Sequence, residues 1–280
     1  MRGFADRVCA VTGAGSGIGR ALATGLARRG ARLALSDVDD AGLAGTADQV
    51  RALGATVHTA RVDVADRAAV TGWAAAVARH HGVVHEVYNN AGIGTQVATL
   101  VDASYADLER VIDVNMWGVV HGCKAFLPHL AASGAGHVVN ISSLNGIMAQ
   151  PGMTAYCMSK FAVRGLSEGL RAELLRDRVP VKVTVVHPGG VKTSIGALDE
   201  AELATLSAPA RAQAVERHRI YQERLFTTTA DEAARQILDG VARGRGRVLI
   251  GQAGRIDRIV RLVPAAYPRV VAVWDRHTFG

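Results

Sequence analysis

The sequence predicts an α/β fold: one domain in which a doubly wound parallel sheet lies between two layers of helices. Short β-rich runs alternate with helical stretches of about a dozen residues or more, the spacing of right-handed β-α-β crossovers. The first of these runs ends in a cluster of glycines. No linker long or polar enough to divide the domain interrupts the series.

Residues 8–11 form the first apolar run, and residues 18–29, after the glycines, have helical composition. The second strand is expected at 32–36, with a helix at 41–53. Runs 56–62 and 83–88 read as further strands, separated by the alanine-rich stretch 68–81. Strands at 137–141 and 181–187 complete the series, with helices near 105–130 and 155–176 between them. Residues 194–226 hold no strand candidate, and a segment of that length is expected to serve as a lid. In residues 255–263, Ile256, Ile259, Val260 and Val263 fall at i, i+3, i+4 and i+7 with arginines between them, the pattern of a basic amphipathic helix. The expected organisation is therefore one doubly wound domain over 1–254 and a basic extension over 255–280.

Composition bounds the function. Of 280 residues, 49% are hydrophobic and 20% charged, with the charges interspersed, so the chain can bury a sizeable core and does not read as disordered. No run reaches the ~18 apolar residues of a membrane helix, and the N-terminus is too short and broken for a signal peptide. Cys9, Cys123 and Cys157 make neither an even framework nor a C-x-x-C pair. A cytoplasmic protein is expected. Residues 243–280 carry eight arginines against Asp257 and Asp275, which accounts for a net +6 of the formal +7. The basicity thus belongs to the tail, and no nucleic-acid partner is expected for the body. Three readings of the tail stay open: packing on the body or another subunit, peripheral contact with an acidic membrane surface, or nucleic acid.

Thr12 to Gly19 sits where the first strand gives way to a helix and fits G-x-x-x-G-x-G through Gly13, Gly17 and Gly19, with Ser16 and Ile18 inside it. Glycines there let a pyrophosphate approach the amides at a helix start. A tight turn alone is the competing reading. Asp37 ends the second strand 18 residues past Gly19, close to the ~20 expected for a carboxylate that bonds an adenosine ribose. Such a carboxylate repels a 2′-phosphate, so NAD is favoured over NADP. Arg28, Arg29 and Arg32 lie close in sequence and are better read as solvated charges at a helix end.

With these residues in hand, the chain resembles the short-chain dehydrogenase/reductase family over about residues 5–250, a Rossmann fold. The motifs stand in the family's order. T-G-x-x-x-G-x-G is Thr12 to Gly19, Asp63-Val64 follows the third strand, and Asn89-Asn90-Ala91-Gly92 follows the fourth. Asn115, Ser143, Tyr156-x-x-x-Lys160, Pro188-Gly189, Val191 and Thr193 come after. The resemblance implies that Tyr156 exchanges a proton with the substrate oxygen while hydride moves to or from the nicotinamide. It also implies that Lys160 binds the nicotinamide ribose, Ser143 holds the substrate oxygen and Asn115 supports a proton-relaying water. Ser143 is chosen over Ser142 because the family's serine commonly lies 13 residues before its tyrosine. Ser142 is assigned to a helix-capping turn. By the same resemblance the cofactor contacts are Gly13, Ser16, Gly17, Ile18, Gly19, Asp37, Asp63, Val64, Asn90, Ala91, Gly92, Tyr156, Lys160, Pro188, Gly189, Val191 and Thr193. Asn89 is read as a sheet residue.

Tyr156 and Lys160 at i, i+4 share a helix face. Lowering a tyrosine from about 10 toward neutrality takes roughly 4 kcal/mol of selective stabilisation of phenolate, which an ammonium and a positive nicotinamide can supply. His80, His81 and His85 suggest a metal cluster, but Gly82 divides them and no metal is expected. Asn140-Ile141-Ser142 matches a glycosylation sequon inside an expected buried strand and is rejected. The sequence thus points to an NAD-dependent oxidoreductase of secondary alcohols and ketones. The substrate is expected to be an apolar small molecule (steroid, terpenoid, acyl or small ketone), and the enzyme a homodimer or homotetramer. The alternative is a dinucleotide-binding regulatory or scaffold protein of the same fold.

Overall fold

The computed structural model describes residues 3–95, 97–193, 195 and 208–279. Its sheet runs β1 (Val8–Thr12), β2 (Arg32–Asp37), β3 (Val57–Arg61), β4 (Glu86–Asn89), β5 (Gly136–Ile141), β6 (Val181–His187) and β7 (Arg247–Leu249). All pair in parallel, in the order β3-β2-β1-β4-β5-β6-β7. Parallel strands buried on both faces read as continuous apolar runs, and β1 shows why. Its Val8 and Ala10 pack with Trp73, Phe126, Leu130 and Val163 on one side, while Cys9 and Val11 pack with Leu22, Leu26, Ile237 and Leu238 on the other.

The first layer is built by α3 (Arg67–His81), α5 (Gly118–Ala132) and α6 (Thr154–Arg176), the second by α1 (Gly17–Ala27), α2 (Asp40–Ala52) and α8 (Ala230–Ala242). Side-chain caps start several of them. Asp39 accepts from the Ala41 amide at 3.1 Å, Asp66 from Ala68 at 2.7 Å, and Thr229 from Glu232 at 3.2 Å. The strand order reverses between β1 and β4, so the loops leaving them part to opposite faces and open a crevice at the carboxyl ends of the strands.

Three departures from the sequence reading matter for the site. The helix expected over 105–130 is two helices, α4 (Tyr105–Ile112) and α5, joined by a π turn at Asp113–Trp117. The tail is two helices, α9 (Ala253–Leu262) and α10 (Tyr267–Phe279), and α9 begins just before the expected boundary. Of the expected lid, residues 194 and 196–207 lie outside the described residues; the remainder forms α7 (Ala208–Ile220) and a π turn at Tyr221–Leu225.

Two buried polar devices hold the sheet. At the amino end, Glu86 accepts from Arg7 Nε at 2.8 Å and from the Tyr88 hydroxyl at 2.6 Å, with Glu86 1% exposed. At the carboxyl end, fully buried His187 donates from Nδ1 to the Ser143 carbonyl at 2.9 Å, and burial drives its pKa down to about 4. Arg7→Met leaves the Glu86 carboxylate buried without its counter-charge, and urea unfolding should report a loss of about 3 kcal/mol. The double variant Arg7→Met/Glu86→Gln should recover a good part of it. For His187, both folded and unfolded chains are neutral above pH 6.5. As pH falls from there toward 4, only the unfolded chain takes the proton, so stability drops by ~3 kcal/mol across that window. Urea midpoints measured from pH 7.5 to 4.5 should show this slope, and His187→Asn should flatten it.

Candidate active site

Along the carboxyl edge of the sheet runs one cavity of about 1030 Å³. One half is backbone-rich. Gly13 takes φ +65, and a Cβ there would stand 2.7 Å from Ala91 Cα; a Cβ on Gly19 would collide with the Gly13 carbonyl. The glycines therefore let the loop after β1 close against the loop after β4. Asn90 ties the two together, donating from Nδ2 to the carbonyls of Thr12 at 2.9 Å and Gly13 at 3.1 Å, while its own amide donates to Thr12 Oγ1 at 3.0 Å.

Asp37 reaches the same loop. Its Oδ2 accepts from the Gly15 amide at 2.7 Å and its Oδ1 from the Asp39 amide at 3.0 Å. A Cβ at 15 would lie 2.8 Å from that carboxylate oxygen, so a larger residue there would displace Asp37. A carboxylate has about four acceptor sites, so capacity for a vicinal diol remains. Arg20, which sequence reasoning passed over, braces the loop from beneath: it donates to the Gly15 carbonyl, to Gly42 at 3.3 Å and to Thr46 Oγ1 at 2.9 Å. Arg29 pairs instead with Asp239 at 2.8 Å, and Arg32 donates to the Asp6 carbonyl, both away from the cavity.

A dinucleotide fits this half. The start of α1 lines the cavity with Gly17 and Ile18 and has no carboxylate in its first turn, which favours an anion there. Gly13, Ser16, Asp63, Val64, Ala91, Gly92, Pro188, Val191 and Thr193 line it too. Gly19 and Gly189 do not. Gly19 is a packing glycine, and Gly189 faces β7 and α9, its amide donating to Ile250 at 3.1 Å. The lining glycine is Gly190, at φ +66, where a Cβ would strike the Leu225 carbonyl.

At the junction of the two halves stand Ser143, Tyr156 and Lys160. The start of α6 delivers Tyr156 and Lys160 from one face, and the end of β5 delivers Ser143. Lys160 is 3% exposed; its Nζ donates to the Ile141 carbonyl at 3.3 Å and lies 5.6 Å from the Tyr156 ring centre. Burial lowers the Lys160 pKa to about 8. Burial raises that of Tyr156, and its hydrogen bond with Ser143 pulls it back down.

The π turn explains Asn115. Fully buried and off the cavity wall, it pairs with the backbone of Ile93, accepting from the amide at 2.8 Å and donating to the carbonyl at 2.9 Å. An added residue in the helix turns the side chain to that loop. Gly92 is the contact between this asparagine and the lysine: a Cβ there would sit 3.0 Å from Asn115 Oδ1 and 3.3 Å from Lys160 Nζ. The capping assignment of the two serines reverses. Ser143 Oγ accepts from the Asn145 amide at 3.1 Å, whereas Ser142 donates to the Lys160 carbonyl at 2.8 Å and so fixes the lysine's turn of α6. Asn89 bonds Asn140 at 2.8 Å inside the sheet. His80 contacts His58 and His81, while His85 Nδ1 accepts from the Val8 amide, so the three histidines do not converge. Among the described residues, no three metal-ligating side chains cluster.

The other half is apolar. Leu144, Met148, Met153, Tyr221, Leu225 and Phe226 line it, and so do eight residues of α9, α10 and the chain between them. Nothing in the sequence reading placed the tail here. Among the described residues, no helix is long and apolar enough to cross a membrane.

Comparison with known proteins agrees with this architecture. The short chain dehydrogenase family model matches residues 7–203. "Putative oxidoreductase SadH" of Mycobacterium tuberculosis is 50% identical over 273 residues, covering 97% of this chain and 96% of that protein. Levodione reductase of Leifsonia aquatica is 34% identical over 192 residues, 68% of this chain and 71% of its own. Among solved structures, a short chain dehydrogenase/reductase from Burkholderia phymatum in complex with NAD superposes with a TM-score of 0.85 at 34% identity, covering 96% of both chains. The chain belongs to the short-chain dehydrogenase/reductase family of oxidoreductases.

Proposed function

We propose that this chain interconverts a secondary alcohol and a ketone with NAD, using Tyr156 as the general acid and base. The observation that carries the proposal is the junction of the cavity, where the Tyr156 hydroxyl meets Ser143 between a glycine-lined half and an apolar half. When bound, the nicotinamide supplies the acceptor or donor of hydride. Gly13, Ser16, Gly17 and Ile18 would hold the pyrophosphate, and Asp37 the adenosine ribose. Asp63, Val64, Asn90, Ala91, Gly92, Pro188, Val191 and Thr193 would shape the remaining contacts.

Burial disfavours phenolate, so Tyr156 by itself holds its proton. To take a proton from an alcohol it needs positive charge beside it. Lys160 provides a standing one: with a pKa near 8, it is about tenfold more often ammonium than amine at pH 7. Ser143 orients the substrate oxygen on the tyrosine's other side. Asn115 acts as a positioning residue, holding the 92–93 loop at the distance that leaves room beside the lysine ammonium. A scaffold that only bound the dinucleotide could use Lys160 on its ribose but would gain nothing from the Tyr156–Ser143 hydrogen bond beside that ammonium, so the enzyme reading is preferred. The Asp37 carboxylate, already fixed by two amides, would repel a 2′-phosphate, which supports NAD over NADP.

Nicotinamide absorbance with NAD⁺ and NADP⁺, across secondary alcohols from 2-butanol upward, tests both parts. NAD-linked oxidation should exceed NADP-linked oxidation by at least an order of magnitude, and Tyr156→Phe should cost about 10²–10⁴-fold in kcat with NADH binding retained. Preference for NADP⁺ would remove the assignment to Asp37. A Tyr156→Phe protein that turned over at the parent rate would remove the assignment to Tyr156.

A further inference from the structure

The tail forms part of the cavity. Its apolar stripe turns inward: Ile256, Ile259, Val260 and Val263 of α9 and its end, with Val271 and Trp274 of α10, line the half of the cavity beyond Tyr156. Two anchors hold it there. At the near end, Asp257 takes both Arg247 donors from β7, at 2.7 and 2.9 Å, and Arg261 as well. At the far end, Arg217 of α7 lies 3.6 Å from Asp275 and stacks under the Phe279 ring at 4.2 Å, and that ring in turn stacks on Tyr221 at 5.5 Å. Residues separated by some sixty positions in sequence thus close one wall.

Besides Lys160 at the junction and His218, the basic side chains among the described lining residues are two arginines, and each stands beside a carboxylate. Arg217 faces the cavity but is engaged by Asp275, and Arg110, the other lining arginine, lies 3.7 Å from Asp107. Several lining residues are nevertheless exposed: Ile259 is 56% exposed and Val270 61%. Apolar surface of this extent, continuous with the reacting hydroxyl, calls for an apolar ligand to cover it.

We propose that α9 and α10 form the specificity wall of the substrate site. They suit it to an uncharged secondary alcohol or ketone carried on a large apolar body, a long alkyl chain or several fused rings. This rests on the alcohol–ketone reading above, and the two can fail separately. The wall gains its selectivity from burial, so each methylene that reaches it should raise kcat/KM about three- to fourfold.

The test uses the full chain and the series 2-butanol, 2-hexanol, 2-octanol and 2-dodecanol, with 11-hydroxydodecanoate, a secondary alcohol of the same length, as the charged probe. The binding arm measures 2-dodecanone by calorimetry, independent of turnover. Wild-type kcat/KM should climb along the series, and 11-hydroxydodecanoate should lag 2-dodecanol by at least tenfold. Ile256→Ala/Trp274→Ala should lose at least tenfold more on 2-dodecanol than on 2-butanol, and should weaken 2-dodecanone binding by at least tenfold. Asp275→Asn, which opens the far anchor, should move the same ratio in the same direction. Val273→Ser, on the exposed side of α10, should leave ratio and binding alone. A flat wild-type series, equal losses on short and long alcohols, or no binding of 2-dodecanone would each overturn the wall. Turnover of 2-butanol with any of those results would leave the reaction class standing. Conversely, tight binding of 2-dodecanone that the double variant weakens, in a protein that oxidises no alcohol, would sustain the wall and reject the alcohol–ketone reading.

Discussion

The Lys160 ammonium, buried beside Tyr156, is the constraint from which most of this site follows. Taking a charge of that size out of water costs several kcal/mol, and burial accordingly lowers the Lys160 pKa to about 8. The backbone is arranged to tolerate it. The Ile141 carbonyl at the end of β5 points at Nζ, and Ser142 grips the carbonyl of Lys160 itself. Gly146 lets the turn after β5 press on that same carbonyl, where any Cβ would lie 2.6 Å away. Across the gap, Gly92 leaves space that only a hydrogen side chain would leave. Each contact fixes the ammonium, and with it the charge that Tyr156 experiences.

The rest of the sheet serves to bring these groups to one edge. Parallel strands put all their carboxyl ends together, and the reversal of order between β1 and β4 parts the loops there. Buried hydrogen bonds then lock the edge. Asn90 fastens the glycine loop, Asn89 and Asn140 join β4 to β5, and Asn140 reaches Ser167 on α6 at 3.0 Å. His187 carries the chain from β6 to the Ser143 carbonyl. A fold that pays for so many internal polar partners gains positional certainty at the atoms that matter.

How much of this the sequence disclosed depends on whether the cause was local. Strand runs, helix stretches and the glycine loop are local patterns, and the six strands expected appear within three residues of their places. Tyr156 and Lys160 share a face because helical periodicity demands it. What escaped was set by distant partners. β7 is three residues amid alternating glycine and arginine, too short and too charged to announce itself. The π turn leaves composition untouched; only the Ile93 backbone, 22 positions from Asn115, reveals why the helix is interrupted. Arg20 and His187 bond to backbone carbonyls, which carry no sequence signature, and the roles of Ser142 and Ser143 turn on whether α6 or the following turn is nearer. Amphipathicity in the tail showed which face was apolar but not what would lie against it.

The tail's charge takes a different meaning once its place is known. Arg247 and Arg261 converge on one carboxylate, Asp257, so part of the basic excess is spent inside the fold. Arg255 and Arg258 lie on the outward side of α9, exposed, because the inward side is committed to the cavity. A helix that supplies an apolar wall must carry its polar residues on the opposite face, whatever their sign. The same division runs through the whole cleft. Glycine backbone and one carboxylate line one half, apolar side chains from the end of the chain line the other, and the two meet at Ser143, Tyr156 and Lys160. Changes in α9 and α10 can therefore reshape the apolar half without disturbing Ser143, Tyr156 or Lys160.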